Sequence, residues 1–150
     1  MADDLKSRIQ DDVKGAMRAR DRERLNALRL ITAAIKQKEV DDRLSLDDGA
    51  VIGVLEKMIK QRRDSIEQYQ KAGRDELAAR EAYEIEVIEA YMPAAMDDEE
   101  VEALIDAALK QTGASGMKDM GRVMGVLKAR IQGRADMGAV SARVKARLGG

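Results

Sequence analysis

The chain has 150 residues with a formal net charge of −1, long enough for one ordinary domain or two small ones. It contains no Cys and no His, which excludes disulfides, thiolate nucleophiles, imidazole acid–base chemistry and the common zinc sites. Three Tyr are its only aromatic residues and it has one Pro, while Ala, Leu, Val, Ile and Met carry the 45% apolar content, so the composition favours helices over strands and predicts an all-α fold.

In chain order, the spacing predicts a first helix from about Asp3 to Arg20, with Leu5, Ile9, Val13 and Ala16 inward. Asp3 and Asp4 at its start and Arg18 and Arg20 at its end suit the helix dipole. Asp21 caps a second helix, whose inner face is Leu25, Leu28, Ile31, Thr32 and Ile35, and Asp41-Asp42-Arg43 is the next break. Ser45-Leu46-Asp47-Asp48 resembles a capping box opening a long third helix, with Val51, Leu55, Met58, Ile66 and Tyr69 inward and Gly73 as its left-handed terminator. Asp75 is expected to cap the fourth helix, with Leu77, Ala78, Ile85, Ile88 and Met92 apolar. The short turn at 73–75 makes the third and fourth helices an antiparallel pair.

Pro93 disfavours the helical conformation at Met92 and marks a domain boundary. Residues 1–93 form a four-helix N-terminal unit; residues 94–150 form a small three-helix C-terminal domain. Asp97-Asp98-Glu99-Glu100 begins the fifth helix, with Val101, Leu104, Ile105, Ala108 and Leu109 inward. Adjacent residues on a helix diverge by about 100°, so these four acids do not converge on one metal ion. A turn over 111–116 leads to the sixth helix, where Met117, Met120, Met124, Leu127 and Ile131 form one apolar stripe. Gly121, Gly125 and Ala129 form a strip without bulk, which permits close approach of another helix or of a sugar-phosphate chain. Gly133-Arg134-Ala135-Asp136 is a turn with Asp136 as N-cap. The last helix turns Met137, Val140, Val144 and Leu148 inward and Arg143, Lys145 and Arg147 outward.

The small net charge hides strong segregation. Residues 1–74 carry +3, residues 75–108 carry −11, and residues 116–150 carry +6. The field at the basic end matters more to a partner than the mean does. Lys118, Arg122, Lys128, Arg130, Arg134, Arg143, Lys145 and Arg147 could form a phosphate-binding face; they could equally be a solvated surface, or a dock for the acidic 75–108 segment. With no Phe or Trp, stacking of splayed bases is not expected, and Arg134 in its turn is the leading phosphate contact. Arg62 lies inside the apolar stripe of the third helix, and Glu81 inside that of the fourth. They form either a polar cleft for a carboxylate or phosphate, or an internal ion pair that fixes helix register.

MGRVMGVLKARIQGRAD, with Gly121, Val123, Met124, the Gly133–Asp136 turn and the Val140–Leu148 helix, resembles the C-terminal module of YqeY-like proteins and of the B subunit of glutamine-dependent aminoacyl-tRNA amidotransferases. Leu25 to Ile35, Ala72 to Leu77, Glu84 to Ile88 and Tyr91-Met92-Pro93 are similar to the stand-alone YqeY pattern, so the resemblance covers nearly the whole chain. Met92 stands where Leu is expected, a volume-conserving change. The resemblance implies kinship with glutamine-dependent carbon–nitrogen ligases, and the B-subunit module is understood to contact tRNA. The family's amidase Ser-Ser-Lys arrangement and catalytic cradle are not visible, and none of the five serines lies in a Gly-Ser-rich loop.

No catalytic residue, metal or cofactor is therefore expected. The leading reading is a protein that binds tRNA or an amidotransferase-like partner without chemistry of its own. The alternative is a protein–protein adaptor, with the Gly121/Gly125 strip or the Arg62 cleft as its contact. The charged N-terminus without an apolar core, and the absence of Cys, predict a cytoplasmic protein. A membrane role is not expected, since the basic helices lack Trp or Phe anchors, and the sequence sets no oligomeric state.

Overall fold

Aspartates open the helices, because a carboxylate accepts from backbone N–H groups that a first turn leaves without partners. In the computed structural model, which describes residues 4–149, Asp4 accepts from the Ser7 N–H at 2.7 Å and opens α1 (Leu5–Ala19). Asp3 lies outside the described residues. Asp21 accepts from the Arg24 N–H at 3.2 Å and opens α2 (Arg22–Asp42). The third start differs from the expected capping box. Asp47, not Ser45, accepts from the Ala50 N–H at 2.9 Å and opens α3 (Asp48–Lys71). Ser45 lies two residues before that cap, and its Oγ accepts from the Lys6 ammonium at 2.8 Å. At the fourth start Arg74 occupies the cap position and Asp75 becomes the first residue of α4 (Asp75–Glu89), where its charge faces the positive helix end.

Left-handed residues follow several of the helices. Gly73 has φ 72°; the Arg74 N–H reaches the Tyr69 carbonyl at 2.8 Å and the Gly73 N–H that of Gln70 at 3.1 Å, a Schellman stop. Arg20 (φ 57°) and Arg43 (φ 55°) take the same conformation after α1 and α2.

The chain divides into two units that part between Met92 and Pro93. In the first, Ile9, Leu28, Ile31, Val51, Leu55 and Ile88 are fully buried. Thr32 is only half-buried and its hydroxyl donates to the Arg29 carbonyl, while Ala27 and Ile59 are buried in the core instead. Beyond Ile59, α3 buries no residue fully; Ile66 and Tyr69, expected in the core, are half-exposed. In the second unit, α5 (Asp98–Thr112), a 3-10 turn (Met117–Asp119), α6 (Met120–Ile131) and α7 (Met137–Gly149) enclose Ile105, Val123, Leu127, Ile131, Val140 and Val144. Met117 does not join the predicted stripe. It sits in the 3-10 turn, off the helical period, and is 44% exposed. Val123 takes the inner place. All described elements are helices, as an all-α fold requires.

Tyr91 closes the first unit. Its ring is buried, the Arg8 guanidinium stands 5.6 Å from the ring centroid, and its hydroxyl donates to the Asp12 carboxylate. Burial first, and the Asp12 carboxylate second, push the phenol well above its ordinary range. A raised folded-state pKa gives stability that is complete below the unfolded value of about 10 and is lost as pH rises through the folded one. Tyr91→Phe is expected to cost about 1.5–3 kcal/mol at pH 8, the worth of a hydrogen bond to a charged group. It should also flatten the fall of the urea midpoint above pH 10; an unchanged alkaline slope would show that another group carries it.

Candidate functional site

The start of α6 is braced by a carboxylate that the sequence reading did not single out. Asp119, in the turn before α6, is 6% exposed. Its Oδ2 accepts from the Ser115 N–H at 2.9 Å, and its Oδ1 pairs with the Arg122 guanidinium. The Ser115 bond, then Arg122, hold its carboxyl below the usual carboxylate range. The available signal was an acid three residues before an arginine, right after a Gly-Ser turn. Arg122, a candidate phosphate contact, is thus tied back to its own helix start.

Three more of the eight basic candidates meet carboxylates. Arg143 reaches Glu102 at 3.2 Å and Asp98 at 3.7 Å. Arg147 reaches Glu102 at 3.1 Å and also Asp106, with Asp106 the larger cause of its raised pKa. Arg134 donates through Nε to the Ala94 carbonyl at 2.9 Å and lies 3.7 Å from Glu100. Its own carbonyl accepts from the Met96 N–H at 2.8 Å, so the 133–136 turn is tied to the segment before α5 from both backbone and side chain. Asp136 accepts from the Gly138 N–H at 3.1 Å at the start of α7. Arg143 and Arg147 therefore dock the chain's own acidic α5. These pairs are largely exposed, so each adds little stability and can be exchanged for another anion.

Lys118, Lys128, Arg130 and Lys145 are exposed and make no ion pair among the described residues. At about 100° per residue, Lys128 and Arg130 stand on either flank of the solvent face of α6, and Gly121, Gly125 and Ala129 run between them. All three small residues are exposed. A Cβ added at Gly121 or Gly125 would meet nothing within 4 Å, so among the described residues the strip packs against no other helix of its own unit.

In the first unit Arg62 donates through Nε to Glu84 at 3.2 Å and through Nη1 to the Met58 carbonyl at 3.3 Å. Glu81, the expected partner, is 4.0 Å away and secondary. Arg62 and Glu84 each lie 11 positions from Gly73, so the antiparallel pair of α3 and α4 brings them level. The two carboxylates, one helical turn apart, share one guanidinium. Burial, and then the neighbouring Glu84 charge, raise the Glu81 pKa.

Asp97, the first of the acidic run, places its carboxylate on the Glu100 N–H at 2.8 Å as a helix cap. No group of three or more acids among the described residues is arranged to hold a metal, and no described helix is long and apolar enough to cross a membrane.

Several curated proteins are similar to this chain. It is 38% identical over 111 residues to Altered inheritance of mitochondria protein 41, mitochondrial, of Eremothecium gossypii, which covers 72% of this chain and 61% of that protein. The protein of the same name from Pyrenophora tritici-repentis is 31% identical over 131 residues, covering 85% of this chain and 71% of its own length. That from Vanderwaltozyma polyspora is 33% identical over 119 residues, covering 75% and 64%. The chain thus spans less than two thirds of the first and third of these relatives. Their names correct the cytoplasmic expectation, which does not stand: these similar proteins are mitochondrial. Lack of Cys and a charged N-terminus do not tell one reducing compartment from another. The family model for the Yqey-like protein matches residues 6–148, and the chain belongs to the YqeY-like family.

Proposed function

We propose that this YqeY-family chain binds tRNA through its C-terminal helices, alone or beside an amidotransferase-like protein, and has no catalytic centre of its own. The observation that carries the reading is the solvent face of α6, where the unpaired Lys128 and Arg130 flank the open Gly121/Gly125/Ala129 strip. A strip without side chains admits a sugar-phosphate backbone between two cations. The resemblance of this segment to the amidotransferase B-subunit module supports the same reading. Lys118 and Lys145 extend the unpaired charge, whereas Arg134, Arg143 and Arg147 would first have to leave their carboxylates. The kinship with carbon–nitrogen ligases contributes a partner class rather than a reaction.

The test is binding of the full chain to bulk tRNA between 50 and 300 mM salt. Lys128→Glu/Arg130→Glu is expected to weaken binding at least about tenfold and to lower the slope of log K against log salt by about 2, one for each lost phosphate contact. Equal affinity and slope in the double variant would remove this face. A tRNA-independent complex that survives nuclease would favour the adaptor reading instead.

A further inference from the structure

We propose that the trough between α1 and α2 docks an acidic amphipathic helix of a partner protein. The trough encloses about 760 Å³. Val13 and the 52%-exposed Met17 form its apolar floor, laid over the buried Ile9 and Ile35. Lys14, Arg29 and Lys36 line it, and none has a carboxylate partner among the described residues. Lys6 and Glu39 pair at 2.6 Å and close one end. From Lys6 to Met17 the floor runs about 16 Å at 1.5 Å per residue, or three turns of a docked helix.

Charge and shape together choose this occupant. Apolar anchors at i, i+3/i+4 and i+7 of a helix would meet Val13 and Met17, and carboxylates on its flanks would meet the three free cations. Met is suited to such a floor because its flexible thioether repacks around different side chains. A nucleic acid would use the cations but leave the apolar floor uncovered, and no aromatic side chain is there to stack a base. A second copy of the chain does not fit either. Among the described residues its large exposed apolar side chains are Met17, Leu30, Val40, Leu44 and Met117, and none of them lies in the acidic 75–108 segment. The inference is independent of the tRNA reading, which concerns the other unit.

The test is selection of a phage-displayed library of 18-residue helical peptides against the full chain, followed by anisotropy titration of labelled synthetic winners. Titrations use the parent, Lys14→Glu/Lys36→Glu and Met17→Gln, all exposed sites at which circular dichroism should report an unchanged fold. The expected winners share an apolar stripe with net negative charge, and lose at least about tenfold in affinity in both variants. Winners without shared charge or period, or winners that bind either variant as well as the parent, would overturn the proposal. So would an absence of winners, laurate alone binding with the same residue dependence, or a dimer in sedimentation that Met17→Gln dissociates. Lys128→Glu/Arg130→Glu should bind the winners like the parent, so failure of one reading is separable from failure of the other.

Discussion

Leu127→Ala should destabilise the C-terminal unit by about 3 kcal/mol, within the roughly 2–5 kcal/mol range for a buried Leu cut to Ala. Leu127 is fully buried at the centre of a cluster with Ile105, Val123, Ile131, Val140 and Val144. Those five neighbours are all β-branched and stiff at χ1, so they cannot collapse well into the space a Leu leaves. A three-helix unit this small has little stability in reserve. Hydrogen exchange at amides of α5, α6 and α7 is the direct reading, and these amides should lose protection together. Leu127→Met, which keeps volume, should cost under about 1.5 kcal/mol. A loss below about 1 kcal/mol for the Ala variant would show that α6 is not seated in the core through this residue.

Arg62→Met should cost about 2 kcal/mol at pH 7. Removing one partner of a buried charge pair costs roughly 3–5 kcal/mol when burial is complete; here the side chains keep 14–21% exposure, and water recovers part of the loss. Without the guanidinium, Glu81 and Glu84 face each other across one helical turn. The sign of the pH dependence follows from Glu81, whose pKa is raised by burial and by Glu84. A raised folded pKa means stability that is complete below the ordinary value of about 4.3 and is lost as pH rises through the folded value. Losing Arg62 raises it further, so the defect should be largest at neutral pH and shrink as pH falls toward the ordinary carboxylate range. Adding Glu84→Gln to Arg62→Met should recover most of the loss at pH 7. A defect of equal size from pH 4 to 7, measured by urea midpoint, would show that the carboxylates do not depend on Arg62.

Local chemistry was the legible part of this sequence. The Asp21 cap and the Gly73 stop depend on residues within a few positions of each other, and they stand as read. The inward faces of α1, α2 and α5 follow the helical period closely. Errors began where a second acceptor competed or a distant element intervened. Ser45 and Asp47 both fit a cap; Asp47 takes it, while Ser45 accepts from Lys6 of another helix. Met117 fits the stripe only if the helix starts before it, and the 3-10 turn shifts that start to Met120. Glu84 was overlooked beside Glu81 because the pairing register of α3 and α4, not the spacing within either, decides which acid meets Arg62. The partners of Arg143 and Arg147 lie more than forty positions away, and Asp12 lies 79 positions from Tyr91. Helical periodicity could say that these arginines face outward. It could not say that acids of α5 meet several of them while Lys128 and Arg130 have no such partner among the described residues.

Arg20 and Arg43 end their helices in a left-handed conformation that costs a residue with a Cβ about 1 kcal/mol more than glycine. Both are exposed, and neither belongs to a core or to the trough. The first unit therefore holds headroom at two replaceable positions. A lineage of such proteins can accept destabilising changes at a contact surface and restore the margin at these helix ends, so its binding faces are free to diverge while the packing between helices stays fixed.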